Sequence, residues 1–261
     1  MYFISPSGND VKLYGNSLVS SARLLLDTGA DPNAKDSVEG DTALLHVRHL
    51  LRRGLFSEAA QVAEAMLAVG GASLPNRVNA ANRTLLSYAV ACGDAAADLS
   101  RLLLNRGARV WPSPDAVAEA ATGGSLGEDE IVRELATERE QSAFAAFMRE
   151  VMRRQSLEGF EATLELLCHA MGENPARMRS HVPRTMLELG KGAGVNGPLF
   201  VRLKERLAPF WSRPQPLRYQ CLKRIRRAMG PKRLNNRGSV ARLRLPPKLQ
   251  RAVLLEDATL I

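Results

Sequence analysis

Cysteine and histidine are the side chains here with the widest chemical range, since they ligate metals, transfer protons and act as nucleophiles. The cysteines are Cys92, Cys168 and Cys221, and no two of them form a CxxC pair. Cys168 stands beside His169, but no second pair is available to complete four zinc ligands. We therefore expect no metal site, and free thiols of the type found in a reducing compartment.

Sequence motifs of catalytic and cofactor-binding sites do not indicate an enzyme either. The four histidines fall in helical patterns, without an HExxH or a GxSxG motif nearby. Residues 192–197 formally spell GxGxxG, which binds a dinucleotide when a strand precedes it and a helix N-terminus receives the pyrophosphate. The preceding residues 184–189 predict a helix instead. We expect no catalytic residues, no cofactor and no enzymatic activity.

A different chemistry, the burial of apolar anchors in a partner's groove, is indicated by residues 214–231. Leu217, Cys221 and Ile225 recur at i, i+4 and i+8, which places them on one stripe of a predicted helix. Proline at 216 suits a first helical turn, and Gly230 followed by Pro231 predicts its end. The remaining faces are expected to be mostly polar, with Lys223, Arg224, Arg226 and Arg227.

This run resembles the BC box of SOCS-box proteins, whose pattern is [A/P/S/T]-L-x-x-x-C-x-x-x-[A/I/L/V]. Pro216, Leu217, Cys221 and Ile225 fill its four specified positions. The resemblance implies that these four residues bind elongin C, which acts together with elongin B. In physical terms this is helix-in-groove recognition, in which Cys serves as a small apolar anchor.

The residues that follow are similar to the cullin box of the same family, φ-x-x-L-P-φ-P. Residues 240–247 match it with one departure, Arg244 in place of the first proline. The resemblance implies that Leu243, Leu245 and Pro246 contact a cullin, and Arg244 leaves the choice of cullin open. Residues 247–255 resemble the closing helix, with Ala252 where an aromatic residue is common. We expect a three-helix SOCS-box-like domain over residues 214–257.

The elements that would position this tail begin with an internal repeat. Three apolar helical patterns end at Gly29, Gly71 and Gly107, and glycine favours the left-handed conformation of a helix C-cap. Thr42 and Thr84 open shorter helical patterns before the second and third of these. The openings and endings together resemble those of the ankyrin repeat. Two positions depart from the family pattern, since Leu45 and Ser87 stand where the family prefers histidine. His46 lies one place off that position, and we expect it to be a packed or capping residue.

The resemblance implies ankyrin repeats over residues 13–110. The glycine spacings of 42 and 36 exceed the family period of about 33, and the extra residues of the middle unit fall at 52–57. The first unit lacks its opening helix, so either the chain start is truncated or residues 1–15 form an irregular cap. Target binding is expected near 36–41, 76–82 and Trp111.

Residues 114–211 predict a further helical block that extends the solenoid and packs against the tail. Apolar residues there recur at i, i+3, i+4 and i+7, the pattern of an amphipathic helix face. The expected core residues are Phe144, Phe147, Met148, Val151, Leu157, Phe160, Leu164, Leu167, Met178, Val182, Met186, Leu189, Leu199, Leu203 and Leu207.

Charge is distributed unevenly along the sequence. The net charge is +9, and residues 177–251 hold twenty Lys and Arg against two carboxylates, Glu188 and Glu205. Such an excess indicates an acidic or phosphate-bearing partner, or a solvated basic face. Residues 1–6 and those that follow lack the basic n-region and the apolar run of a signal peptide, so we expect none, and no run of about 18 apolar residues predicts a membrane span.

The sequence thus predicts an all-α protein: a short ankyrin-repeat solenoid, a helical block and a SOCS-box-like tail. The resemblance implies a cytoplasmic, or also nuclear, substrate-recognition adaptor of an elongin B/C–cullin–RING ubiquitin ligase, with an unidentified protein substrate. Two alternatives remain. One is a basic ankyrin scaffold that binds nucleic acid or acidic partners without ligase recruitment, against which the scarcity of aromatics among the charges argues. The other is a plain ankyrin scaffold.

Overall fold

A computed structural model describes residues 8–37, 40–111, 142–172, 175–192, 197–211, 217–234 and 236–256. Regular structure in these ranges is helical, apart from one isolated antiparallel bridge between Lys35 and Thr42. The predicted all-α fold is confirmed. None of the helices in these ranges combines the length and the apolar character needed to cross a membrane.

The helices are numbered in chain order, with 3₁₀ turns at Leu74–Asn76 and Gly93–Ala96. Their bounds are α1 Gly8–Asp27, α2 Ala43–His46, α3 Arg48–Arg52, α4 Phe56–Val69, α5 Leu85–Ala91, α6 Ala97–Asn105, α7 Ala143–Arg154, α8 Glu161–Gly172, α9 Pro175–Gly192, α10 Gly197–Trp211, α11 Leu217–Leu234, α12 Arg237–Ala241 and α13 Pro247–Val253.

Three of these helices begin in the same way. Thr42, Thr84 and Ser142 precede α2, α5 and α7 in extended conformation, with ψ of 163°, 163° and 152°. The hydroxyl of Thr84 accepts a hydrogen bond from Ser87 N, and that of Ser142 from Ala145 N, which satisfies an otherwise unpaired helical N–H. The openings predicted at Thr42 and Thr84 are confirmed, and Ser142 adds a third that the sequence reasoning missed.

The helix endings also recur. Gly29, Gly71 and Gly107 have φ of 92°, 78° and 91°, the left-handed region expected for a glycine C-cap. At the first and third of these, Ala30 N donates to Leu25 O and Ala108 N donates to Leu103 O. Such bonds close a Schellman motif, so both helices end where glycine was predicted to end them.

Successive units are joined by equivalent side-chain contacts. Asn33 Nδ2 donates to Gly70 O over 3.2 Å, and Asn76 Nδ2 donates to Gly107 O over 3.0 Å. A recurring contact between neighbours is what a stacked array requires, because each unit buries its apolar face only against the next. Of the two alternatives left open for the chain start, an irregular cap over residues 1–15 does not hold for residues 8–15, because they belong to the continuous helix α1.

The helical block packs directly against the third unit. Ala143 N donates to Val110 O over 3.0 Å, and Thr163 N donates to the carboxylate of Asp94 over 2.8 Å, which ties α7 and α8 to the third unit. One apolar core therefore runs from the repeats through the block. Of the core residues predicted there, all are buried except Leu189, which packs partly buried against the same core.

The tail forms a smaller second core. Leu222, Leu234, Val240 and residues 252–254 of α11, α12 and α13 pack together. Helix α11 was expected to end at Gly230, and that residue does leave helical geometry, with φ 67° and ψ 168°. One further turn follows the kink as far as Leu234, because this leucine is buried in the small core.

Candidate functional site

Helix α11 has two different faces. The side chain of Leu217 is 76% exposed and Cys221 is also exposed, while Ile225 on the same stripe lies partly buried at the edge of the small core. The other face turns inward, with Leu222 buried in the small core. The stripe that the sequence predicted as a partner contact is therefore open in its first two turns. Pro216 lies outside the described residues.

Arg226 departs from its expected place on the polar, solvated side of α11. Its side chain is only 9% exposed, and its guanidinium donates to Val253 O and to Asn105 Oδ1. A buried guanidinium needs such acceptors, because a desolvated charge without partners costs several kcal/mol. The expectation was wrong because these acceptors come from α6 and from the end of α13, which helical periodicity does not reveal.

The same region of α6 holds the end of the tail. Arg101 Nε donates to Leu255 O over 2.9 Å, and Asn105 Nδ2 donates to Leu254 O over 3.0 Å. The side chain of Leu255 is buried in the main core of the repeats. These contacts fix the direction in which α11 presents Leu217 and Cys221 relative to the repeats.

The residues predicted to contact a cullin differ in exposure. Leu243 and Leu245 are partly buried against the small core, whereas Pro246 is exposed just before α13. Gln250 Nε2 donates to Leu243 O and to Leu245 O, over 3.3 and 2.9 Å, and so holds this segment in place. Pro246 is thus the most accessible of the three.

The sites suggested for target binding are mostly structural. Trp111 is only 6% exposed and packs against Phe144 and His181, with ring centroids 5.9 and 5.2 Å away. Asn76 joins two units, and Asn79 is buried and donates to the hydroxyl of Tyr88 over 3.2 Å. Trp111 is therefore not available as a surface contact, because α7 and α9 cover it. Residues 38–39 lie outside the described ranges.

One cluster of polar side chains was not anticipated. Ligand atoms of Asp36, Asp41 and His46 lie within 4.8 Å of one another. Both carboxylates already have partners within the protein, since His46 Nε2 lies 2.9 Å from Asp36 and Arg48 lies 2.5 Å from the buried Asp41. His46, expected to be packed or capping, is exposed and pairs with Asp36. This geometry serves to fasten the loop before α2.

The two remaining thiols have structural surroundings. Cys168 is buried, and Cys92 is partly buried against the core. Burial raises the pKa of both thiols, which disfavours the nucleophilic thiolate. Cys221 is the exposed thiol of the three, on the open stripe of α11.

Comparison with known proteins adds no relative: no protein-family model matches the chain, and no curated protein matches it. The functional assignment therefore depends on the open stripe of α11 and on the contacts that hold this helix.

Proposed function

We propose that this protein is a substrate-recognition adaptor of an elongin B/C–cullin–RING ubiquitin ligase. The repeats, helices α1–α6, bind a target protein, and the tail binds elongin C through Pro216, Leu217, Cys221 and Ile225. One observation carries the proposal: Leu217 and Cys221 are exposed one turn apart on a helix whose opposite face is buried. The proposed partners place the activity in the cytoplasm, with the nucleus as a second compartment.

The exposure of Leu217 supports a partner at this place. Burying a leucine side chain stabilises a complex by about 1.5–3 kcal/mol, and Leu217 offers most of its surface for that purpose. The same surface is also lined by Gln220, Cys221, Lys223, Arg224 and Arg227. An apolar anchor with a polar rim is the usual composition of a protein interface.

In this role the protein performs no bond chemistry of its own. It holds a target beside the ligase, so that transfer of ubiquitin takes place at the high effective concentration of a tethered pair. Pro246 is the exposed candidate for cullin contact, and Arg244 distinguishes this segment from the usual cullin box.

The proposal is tested by co-expression with elongins B and C, followed by size-exclusion chromatography. We expect the wild type to elute as a stoichiometric complex. The double variant Leu217→Ala, Cys221→Ala removes both open anchors. It should weaken binding by about 2 kcal/mol or more, equal to roughly 30-fold in Kd, which is the size of an interface hot spot.

A matched control variant removes exposed apolar side chains at a different place on the protein. Leu187 and Val201 are 61% and 56% exposed on α9 and α10, and the double variant Leu187→Ala, Val201→Ala should retain the complex. If the wild type does not bind the elongins, or if both double variants bind equally well, the adaptor proposal is wrong.

A further inference from the structure

A cleft of about 520 Å³ lies between the third repeat and the tail. One wall is the turn after α6, which includes Gly107 and Arg109, and the other wall is the second half of α11 with Arg226 and Pro231. Its volume falls within the range of about 300–1,000 Å³ that is usual for binding pockets. The cleft is therefore large enough for a short segment of another chain.

The lining of this cleft is cationic. Arg109, Arg226 and Arg227 line it, and none of the lining residues that the structure describes is acidic. The guanidinium of Arg109 is exposed and has no ion-pair partner among the described residues. Arg226 is engaged with Val253 and Asn105, so it adds positive potential from within the wall.

A neighbouring cleft on the other side of α6 provides a comparison. It holds Glu64, Asp98 and Glu256 besides its arginines. Two of these carboxylates are paired within the protein, Asp98 with Arg101 and Glu256 with Arg237, each over 2.6 Å. Among the described residues, the lining of the first cleft therefore carries more positive charge than the lining of its neighbour.

The apolar part of the lining decides between two kinds of anionic partner. Of the apolar residues that line the cleft beside the arginines, Pro231 is exposed, whereas Leu104, Val110 and Leu234 are buried in its walls. Trp111, which also lines it, is buried against Phe144 and His181 and offers no open ring on which a base could stack. Single-stranded nucleic acid depends on such stacking, whereas an acidic peptide with apolar side chains matches both parts of the surface.

We propose that this cleft binds an acidic, leucine-bearing segment of a partner protein. On the proposed adaptor function, that partner is the ubiquitination substrate. The carboxylates lie against Arg109 and Arg227, and an apolar side chain packs on the exposed ring of Pro231. Helix α11 then contacts two partners. Elongin C binds at Leu217 and Cys221, and the substrate segment binds at the second half of the helix.

The test measures fluorescence anisotropy of a labelled peptide, acetyl-Glu-Asp-Glu-Leu-Glu-Asp-Leu-Glu, with the full chain. We expect saturable binding that weakens as salt is raised, since exposed charge pairs are screened. The double variant Arg109→Ser, Arg227→Ser should bind at least tenfold more weakly. The control Arg53→Ser, Arg244→Ser makes the same charge change at two exposed positions outside the cleft, and should bind as the wild type does.

Three results would each overturn the assignment. The first is equal binding of a peptide in which Gln and Asn replace the acids. The second is equal weakening by the two double variants. The third is displacement of the peptide by a twelve-nucleotide single strand that itself binds more tightly, which would assign the cleft to nucleic acid.

Elongin capture is measured on the same samples, so that the two proposals fail separately. The single variant Arg109→Ser should still bind elongins B and C, because Arg109 lies outside the surface around Leu217, whereas Arg227 lines both surfaces and is left out of this comparison. A chain that binds the peptide but ignores the elongins would remove the adaptor function and leave the cleft in place.

Discussion

The three cysteines lie in three different environments, and their reactivities should differ accordingly. Cys168 is enclosed in the core, and burial raises its pKa far above the ordinary value. Burial also raises the pKa of Cys92, and the nearby carboxylate of Glu150 raises it further. Cys221 is open to solvent on α11. Because the thiolate is the attacking species, exposure and pKa together set the order of reaction.

We expect N-ethylmaleimide at pH 7.5 to modify Cys221 first, Cys92 more slowly, and Cys168 only after unfolding. Mass spectrometry of tryptic peptides over time gives the three rates. Bound elongins B and C should protect Cys221 and leave the rate at Cys92 unchanged. Modification of Cys168 in the folded protein before Cys221 would contradict the buried placement of its thiol.

At the scale of elements, two helix endings share one geometry and differ in one contact. Gly29 and Gly107 both end a helix in the left-handed conformation, with φ of 92° and 91°. A Cβ atom at Gly29 would meet nothing within 4 Å, whereas one at Gly107 would lie 3.1 Å from Pro231 in the tail. Substitutions at the two glycines therefore separate two free-energy costs: that of the left-handed backbone conformation, and that of disturbing the contact with the tail.

Substitution by alanine at either glycine should lower the free energy of unfolding by about 1–2 kcal/mol, the cost of a left-handed L-residue. Gly107→Ala should in addition loosen the tail, because its Cβ crowds Pro231. Urea denaturation measures the first effect, and hydrogen exchange of the α11 amides measures the second. If the α11 amides exchanged at the same rate in Gly29→Ala and Gly107→Ala, the contact between Gly107 and Pro231 would not contribute to the docking of the tail.

Much of the fold was predictable at this scale, because local patterns determine it. The glycine endings follow from backbone sterics at single residues, and the stripe of Phe144, Phe147 and Val151 follows from helical periodicity. The exposure of Leu217 and Cys221 also agrees with the expected partner surface. The opening at Ser142 was missed, since one capping serine carries a weak signal.

At the scale of the whole molecule, the tail and the third repeat depend on each other. Asn105 takes part in two hydrogen bonds across the junction, donating to Leu254 O and accepting from Arg226. Long-range contacts of this kind explain what sequence reasoning could not predict. The burial of Arg226 and of Trp111 is imposed by residues that are remote in the sequence, so no local pattern marks either of them.

We expect Asn105→Ala to weaken the docking of the tail by about 2 kcal/mol, since two hydrogen bonds are lost and Arg226 keeps fewer acceptors. Hydrogen exchange in α11–α13 should then quicken by roughly 30-fold, while α2–α5 change little. Asn33→Ala is the matched control, because it removes one side-chain bond between units, to Gly70, far along the chain from the tail. Equal exchange of the tail in the two variants would argue against the docking role of Asn105.

The hydrogen bonds of the tail also impose an order on the folding of the nascent chain. The contacts between units join residues 37 and 31 positions apart, whereas Asn105 and Leu254 are 149 positions apart. A ribosome adds about 5–20 residues per second, so the repeats wait roughly 8–30 s before their partner in the tail has been made. During that interval the side of α6 that carries Arg101, Leu104 and Asn105 is uncovered. Until residues 253–255 have been made, the nascent chain therefore leaves these hydrogen-bonding groups of α6 without their partners in the tail.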